Sequence, residues 1–374
     1  KDPRTYIPET PGWNEIVHGM TQVPFVSLAL GPCAGMGAGR VAASHFSVMV
    51  KELSQVFVAG PPVAIALGEN VTKEELGGWK IQGQNGTVDN VVDSEADAFE
   101  AARRFLSYLP PSVHELPERT PPTDDPKRKE EFLLSIVPTD GKTPYKPRKI
   151  VEATVDRHSF FEIGHDWGRG MVCGFARIDG HPVGILAGDP FFLDGAWTAD
   201  VCDKVTRHMD LCSMFHLPVV HFVDCPGFAV GVKAETAGVT RAGVRAMTAI
   251  YQANVPVCSV VIRKAYGLAG STMMNQSKTK WRYCWPSGDW GSLPMAGGIE
   301  AAFRKELAEA EDPEALKASL YKKFEAIRSP FRTAESFLAE EIIDPRDTRP
   351  LLVDFVHHAV RITETGEFRH GYRP

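Results

Sequence analysis

Residues 23–39 return at residues 255–271, and the two copies align without a gap at Val23/Val255, Pro24/Pro256, Ser27/Ser259 and Gly35/Gly267. Each copy reads as an apolar strand that runs into a glycine turn and then a helix of small residues. An offset of 232 positions (23 to 255) is a duplication of a whole domain, since a solenoid repeats every few tens of residues (roughly 20 to 50). The chain must therefore build the same strand and turn twice. Two copies of one turn imply two similar sites.

The 374 residues suffice for two domains of ordinary size with separate cores. The formal net charge of −6 comes without any block of Lys and Arg, so nucleic acid is not an expected partner. No apolar run reaches the roughly 18 to 20 residues needed to span a bilayer, and no membrane segment is expected. Seven cysteines (Cys33, Cys173, Cys202, Cys212, Cys225, Cys258 and Cys284) are scattered without a C-x-x-C pair. They read as reduced core thiols in a reducing, cytoplasmic compartment. None of the twelve histidines shows a metal-binding spacing; His357 and His358 share a predicted helix in which only one can face the core. No metal is expected.

The hydrophobic pattern predicts a helix over 13–22, a buried strand over 24–30 and short strands over 46–50 and 56–59. Thr72 with Glu75 reads as a capping box, and Ser94 as the cap of a helix over 96–108. Residues 110–148 are too rich in proline and charge for a core element and read as a linker between domains at 1–109 and 149–374. Beyond it, strands over 172–178, 183–187, 219–223 and 257–262 alternate with helices over 198–215 and 235–252, the latter hinged at Gly231. That alternation predicts an α/β fold with a mainly parallel sheet. The tail over 300–360 reads as helical, broken at Pro313, Pro330 and Pro345. The chain begins with Lys1 and its first helix lies close behind, so the first domain is expected to start part-way in.

Glycine permits the sharp turn after each repeated strand, and the helix that follows offers unpaired N–H groups and the positive end of its dipole. Such a nest suits a phosphate or an oxyanion. It is no Walker A loop, because no G-K-[ST] follows, and the spacing of Gly35, Gly37 and Gly39 does not match G-x-G-x-x-G. Asp224-Cys-Pro-Gly-Phe228 closes another apolar strand, and 187–190 and 194–197 also flank a strand end, where ligands of open α/β sheets bind. There is no G-x-S-x-G elbow and no convincing Ser/His/Asp set, and Lys264 reads as a solvated strand-end lysine. Main-chain donors abound where activated side chains are few. Such a site stabilises negative charge on oxygen.

Gly31-Pro-Cys-Ala-Gly35, Val50-Lys-Glu-Leu-Ser-Gln-Val-Phe57, Val71-Thr-Lys-Glu-Glu-Leu-Gly-Gly78, Val223-Asp-Cys-Pro-Gly-Phe228, Ile262-Arg-Lys-Ala-Tyr-Gly267 and Cys284-Trp-Pro286 together resemble the carboxyltransferase (β) subunit of biotin-dependent acyl-CoA carboxylases, the propionyl-CoA and methylcrotonyl-CoA group. The resemblance runs over nearly the whole chain. It implies two crotonase-like ββα superhelical domains, the N-terminal one on the acyl-CoA side and the C-terminal one on the biotin side. It also implies a hexamer with active sites at subunit interfaces, and biotin carried on a biotin carboxylase or biotin carrier partner. In the family's mechanism carboxybiotin releases CO2, the biotin ureido anion takes the α-proton of the thioester, and the enolate attacks CO2.

Carried over by position, the two oxyanion holes fall on the backbone of Gly35 and Met36 and on that of Leu268 and Ala269. Ala34, Gly37, Tyr266 and Ser271 fall on the substrate side, and Gly188, Asp189, Gly227, Phe228 and Gly267 on the biotin side. Relatives usually carry glycine at Met36 and Leu268, an acidic residue at Ser271 and Asn-Gln at Gly188-Asp189. The resemblance leaves two alternatives: a decarboxylase of malonyl-type or glutaconyl-type CoA, and a noncatalytic paralogue that scaffolds a carboxylase complex. In a eukaryote the implied compartment is the mitochondrial matrix.

Overall fold

Of the two repeated strands only the second is covered on both faces, as in parallel sheets generally: residues 257–263 are all buried, whereas in the first copy, expected to be a buried strand, Ala29 is buried and residues 26–28 are only partly so. A computed structural model describes residues 9–274, 281–292, 295–325, 330–369 and 371–374. It forms two units: Lys1–Leu116 with Thr365–Phe368, and Pro117–Glu364 with Arg369–Pro374. The predicted beginning of the first domain at 1–8, and 326–329 of the predicted helical tail, lie outside the described residues.

In the first unit β1 (Val26–Ala29), β3 (Phe46–Val50) and β5 (Asn90–Val92) make a parallel sheet in the order β1-β3-β5, while β2 (Pro32–Ala34) pairs in parallel with β4 (Gln55–Phe57). All five residues of β3 are buried. The helix Glu95–Leu106 covers this sheet, stacking Phe105 on Phe46 with centroids 4.6 Å apart. Its start is where the sequence places it, the Ser94 hydroxyl accepting the Asp97 N–H at 3.1 Å. The capping box also forms, with Glu75 N–H donating to Thr72 Oγ1 at 3.2 Å and Thr72 N–H to Glu75 Oε2 at 2.9 Å.

The second unit holds β6 (Phe161–Ile163), β7 (Met171–Ile178), β8 (His181–Gly188), β9 (Val219–Cys225), β10 (Val257–Tyr266), β11 (Trp281–Cys284), β12 (Asp289–Gly291) and β13 (Glu341–Ile342). They form one sheet in the order β13-β11-β10-β9-β8-β7-β6, with β12 added to β10. Only the β6/β7 and β7/β8 pairs are antiparallel. Asp179 and Gly180 close the β7/β8 hairpin with φ of 50° and 79°, the left-handed pair of a two-residue hairpin turn. Where β7 begins, the buried Lys204 ammonium donates to the carbonyls of Gly164, Trp167 and Met171 at 2.7, 2.9 and 2.8 Å.

The duplication extends to the strand register. Val26 faces Phe46 in the first unit as Cys258 faces Trp281 in the second, and Pro32 faces Gln55 as Lys264 faces Asp289. β5 flanks β3 as β13 flanks β11. What β10 runs as one strand, the first unit breaks into β1 and β2 just ahead of Pro32, a residue with no N–H for the ladder.

Several sequence expectations shift. Residues 117–148 group with the second unit and are not a bare tether: Leu133 and Tyr145 are buried in its core. Arg128 pairs with Asp124 and Glu130 and donates to the carbonyls of Ala153 and Val155. Most of this stretch stays exposed, but it is pinned to the second unit where its charges pair and its side chains satisfy nearby backbone. The helix expected over 235–252 is two, Val232–Thr236 and Val239–Gln252, broken at Gly238 with φ 76°. The tail also contributes the edge strand β13, before the final helix Thr348–Ile362. Six cysteines are buried and only Cys33, the single cysteine of the first unit, is partly exposed. Burial pushes the Cys173, Cys202 and Cys284 thiols up to about 12. Among the described residues no helix is long and apolar enough to cross a membrane.

Candidate functional site

Each repeated strand ends at a glycine that only a residue without Cβ adopts easily: Gly35 has φ 58° and Gly267 φ 61°. In the first unit the turn leads into the helix Met36–Ala43. The Gly35 amide, expected as a donor of the first hole together with that of Met36, is instead engaged within the fold, donating to the Val58 carbonyl at 3.0 Å. The N–H groups of Met36 and Gly37, at the first two helical positions, have no acceptor within the helix. They lie on an open face: Ala34, Gly35, Met36 and Gly37 are all exposed. A Cβ placed on Gly35, Gly37 or Gly39 would touch nothing within 4 Å. Packing inside the unit therefore does not require the glycines at 37 and 39.

In the second unit Gly267 opens the helix Gly267–Met274. Leu268 is 65% exposed and Ala269 is fully buried. The Ser271 hydroxyl turns back to the Leu268 carbonyl at 3.0 Å, and Thr272 Oγ1 to the same carbonyl at 2.8 Å. Tyr266, at the end of β10, donates its hydroxyl to Asp289 Oδ2 at 2.5 Å, tying β10 to β12. Gly270 is pressed against strand backbone, since a Cβ there would lie 2.3 Å from the Ala265 carbonyl carbon. Beside the turn is an open cavity of about 650 Å³, lined by Gly267, Leu268, Ser271, Trp290, Thr333 and Leu338 among others.

The four remaining predicted residues gather at the carboxyl ends of β8 and β9. Gly188 lets β8 approach β9 closely, because a Cβ there would sit 2.2 Å from the Asp224 carbonyl oxygen. Asp189 is buried, its carboxylate paired with Arg148 at 2.7 Å and accepting the Phe191 N–H at 3.1 Å. Arg148 also holds Glu162. Gly227 has φ 121° and accepts the Trp197 N–H at 3.0 Å, while Phe228 packs edge-on against the buried Trp197 ring with centroids 6.1 Å apart. What these strand ends offer is a rigid backbone rim with its charges paired beneath.

Beneath the rim lies a buried polar cluster around Asp224, which the sequence places at a strand end without revealing its partners. Asp224 accepts from Arg263, from the Lys264 backbone and from the Tyr145 hydroxyl. Burial raises the Asp224 carboxyl above its ordinary value, against the pull of the Arg263 guanidinium. Lys264, expected to be solvated, is instead largely buried and paired with Asp194. The signal was present in the sequence: Asp224 and Arg263 are charges inside otherwise apolar strands, and a buried charge needs a partner. His357, on its half-exposed helix face, reaches Asp179 at 2.7 Å, while His358 is exposed.

Among the described residues no group of His, Cys, Asp and Glu side chains could hold a metal ion. Near the second turn the Asp194 and Asp224 carboxylates and the Lys264 ammonium are ion-paired, which leaves the main-chain N–H groups at the start of each helix as the donors without an acceptor inside their own helix. Such donors act where charge develops on oxygen and require no protein base.

The model of the carboxyl transferase domain matches residues 14–367. The chain is 34% identical over 350 residues to the propionyl-CoA carboxylase carboxyltransferase subunit of Haloferax mediterranei, covering 91% of this chain and 68% of that protein. It is 33% identical to the methylmalonyl-CoA decarboxylase subunit alpha of Veillonella parvula, covering 89% and 64%. With the methylmalonyl-CoA carboxyltransferase 12S subunit of Propionibacterium freudenreichii subsp. shermanii it shares 34% identity, covering 87% and 63%. It thus spans about two thirds of the length of these relatives. The crystal structure of transcarboxylase 12S with methylmalonyl-coenzyme A and methylmalonic acid bound superposes with a TM-score of 0.87 at 32% identity, covering 95% of this chain and 69% of that one. The mixed α/β architecture is the crotonase-like one the motifs implied, and the chain belongs to the carboxyl transferase family.

Proposed function

We propose that the protein is the carboxyltransferase component of a biotin-dependent acyl-CoA carboxylase, moving a carboxyl group from biotin to an acyl-CoA. The observation that carries this reading is the pair of glycines at φ 58° and 61°, each opening a helix at the same place in a duplicated unit. In the first unit Met36 and Gly37 supply the donors to the thioester oxygen of the acyl-CoA, with Gly35 as the turn and its own amide held by Val58. In the second unit Leu268 and Ala269 supply those to the ureido oxygen of biotin, which, when bound, delivers the carboxyl group and takes up the substrate proton. Ala34 borders the first hole, and Tyr266 and Ser271 border the second on its substrate side. Gly188, Asp189, Gly227, Phe228 and Gly267 form the biotin rim, where Asp189 acts through Arg148 and not by direct contact. The cavity beside Leu268 has room and an apolar wall for a bicyclic ring, which supports biotin on this side.

The proposal extends to a biotin-carrying partner, to a hexamer, as described for transcarboxylase 12S, and to a division of labour between an acyl-CoA domain over 1–109 and a biotin domain over 149–374. The cytoplasm, or the mitochondrial matrix in a eukaryote, supplies the CoA thioesters and ATP such a complex needs. A second reading, decarboxylation of a malonyl-type CoA through the same two holes, is supported by the Veillonella parvula relative. The deciding experiment gives the purified complex a panel of acyl-CoAs with ATP and labelled bicarbonate. Label entering one acyl-CoA supports carboxylation. Carboxylated biotin with no labelled acyl-CoA would sink it, and loss of CO2 from methylmalonyl-CoA alone would favour the second reading.

A further inference from the structure

β9 and β10 run in step from Val219/Val257 to Val223/Val261 and then lose register, Cys225 pairing with Ala265. Three residues of β10, namely Ile262, Arg263 and Lys264, therefore face Asp224 alone. Such a bulge leaves backbone groups that the ladder cannot satisfy. Asp224 fills the gap with its side chain: Oδ1 accepts the Lys264 N–H at 3.1 Å. Arg263 Nε donates to its two oxygens at 3.3 and 3.1 Å, Arg263 Nη2 lies 3.0 Å from Oδ2, and the Tyr145 hydroxyl donates to Oδ2 at 2.9 Å. Arg263 Nη1 continues to the Thr143 carbonyl at 3.0 Å. Asp224 is 1% and Arg263 2% exposed, so neither is a surface charge awaiting solvent. The bulge ends two residues before Tyr266, which Asp289 already fixes, and three before Gly267.

We propose that Asp224, braced by Arg263 and Tyr145, is a positioning residue for the second glycine turn. It sets the bulge of β10, and the bulge sets where the Leu268 and Ala269 amides point. The proposal rests on reading those amides as an oxyanion hole; Asp224 itself touches neither substrate nor biotin. A carboxylate suits the task because one group must take a backbone N–H, a guanidinium and a phenol at once, and it has lone pairs for all three.

The test compares the intact complex with Asp224→Leu/Arg263→Met, which removes the acceptor without leaving a lone buried charge, and with Tyr145→Phe, which removes only one brace. The double variant should lose about 100-fold in kcat with KM for the acyl-CoA unchanged, and Tyr145→Phe about threefold in kcat alone. Amide exchange across 265–270, which needs no substrate, should quicken at least about tenfold in the double variant, while the helix Thr348–Ile362 keeps its wild-type rate. Wild-type kcat in both variants, or a loss carried by KM, overturns the proposal, as does unchanged exchange across 265–270. If the double variant fails to fold, the kcat of Tyr145→Phe and its exchange across 265–270 decide. A wild-type complex that carboxylates nothing sinks the functional reading instead, leaving the exchange arm to judge the bulge.

Discussion

At the scale of single residues, the glycines divide by what a Cβ would meet. A Cβ on Gly37 would meet nothing within 4 Å, and the residue stands in a helix, where alanine is favoured by about 0.5–1 kcal/mol. Gly37→Ala should therefore raise the denaturation midpoint of the protein while lowering kcat/KM about tenfold, because the methyl stands where a thioester must approach. Unchanged turnover would remove this face from the site. Gly188→Ala acts oppositely: its Cβ would lie 2.2 Å from a backbone oxygen that cannot swing aside, and a loss of about 3 kcal/mol in denaturant unfolding is expected. Leu268→Pro tests a donor and not a side chain. The position is exposed and proline is tolerated at the start of a helix, so stability should hold while kcat falls about 100- to 1,000-fold for a lost hole donor. Steady-state kinetics beside a melting curve separates the two effects.

At the scale of elements, the turn itself can be weighed in both copies. Gly35→Ala and Gly267→Ala force alanine to φ near 60°, with no steric contact closer than the 3.6 Å between Gly267 and the Ser292 carbonyl. Gly35 combines its positive φ with ψ −125°, a sparsely populated region for a residue with Cβ, and each variant should lose about 1–3 kcal/mol in chemical denaturation. Near-equal losses would show the two turns to be one device used twice. The sequence carried this device well, because a glycine that must adopt positive φ leaves the same mark wherever it is copied. The strands and their caps were likewise legible from local pattern. What local pattern could not carry was pairing between distant residues. The Gly35 amide is taken by Val58, Asp189 is matched by Arg148 and Lys264 by Asp194, and each match depends on which strand ends meet. The stretch 117–148 misled for the same reason: Leu133 and Tyr145 find their cover in the sheet, far along the chain.

At the scale of the whole molecule, buried imidazoles set the acid limit of stability. Burial pushes His208 and His221 down to about 3. Unfolded histidine titrates near 6.5, so below that pH the unfolded chain binds protons the folded chain refuses. The folded-state pKa is depressed, hence the stabilisation is complete above about pH 6.5 and is lost as pH falls toward 3. The slope is about 1.4 kcal/mol per pH unit for each group, or about 2 kcal/mol per buried histidine between pH 6.5 and 5. His221→Leu also removes a ring nitrogen, Nε2, with no partner among the described residues. Its midpoint should vary less steeply with pH than wild type by the share of one proton. Parallel profiles for the two proteins would refute the assignment.

The distribution of sulfur turns the duplicated architecture into its own gauge. Cys33 is the one thiol of the first unit and is partly open, while the other six lie sealed in the second. A buried thiol held up near 12 forms almost no thiolate at neutral pH, and the thiolate is the species that reacts. Alkylation should thus mark one sulfur early, and the remaining six only as fast as the second unit opens. Mass spectrometry of a timed labelling reaction would then read the opening rate of that unit directly, with no probe added to the chain.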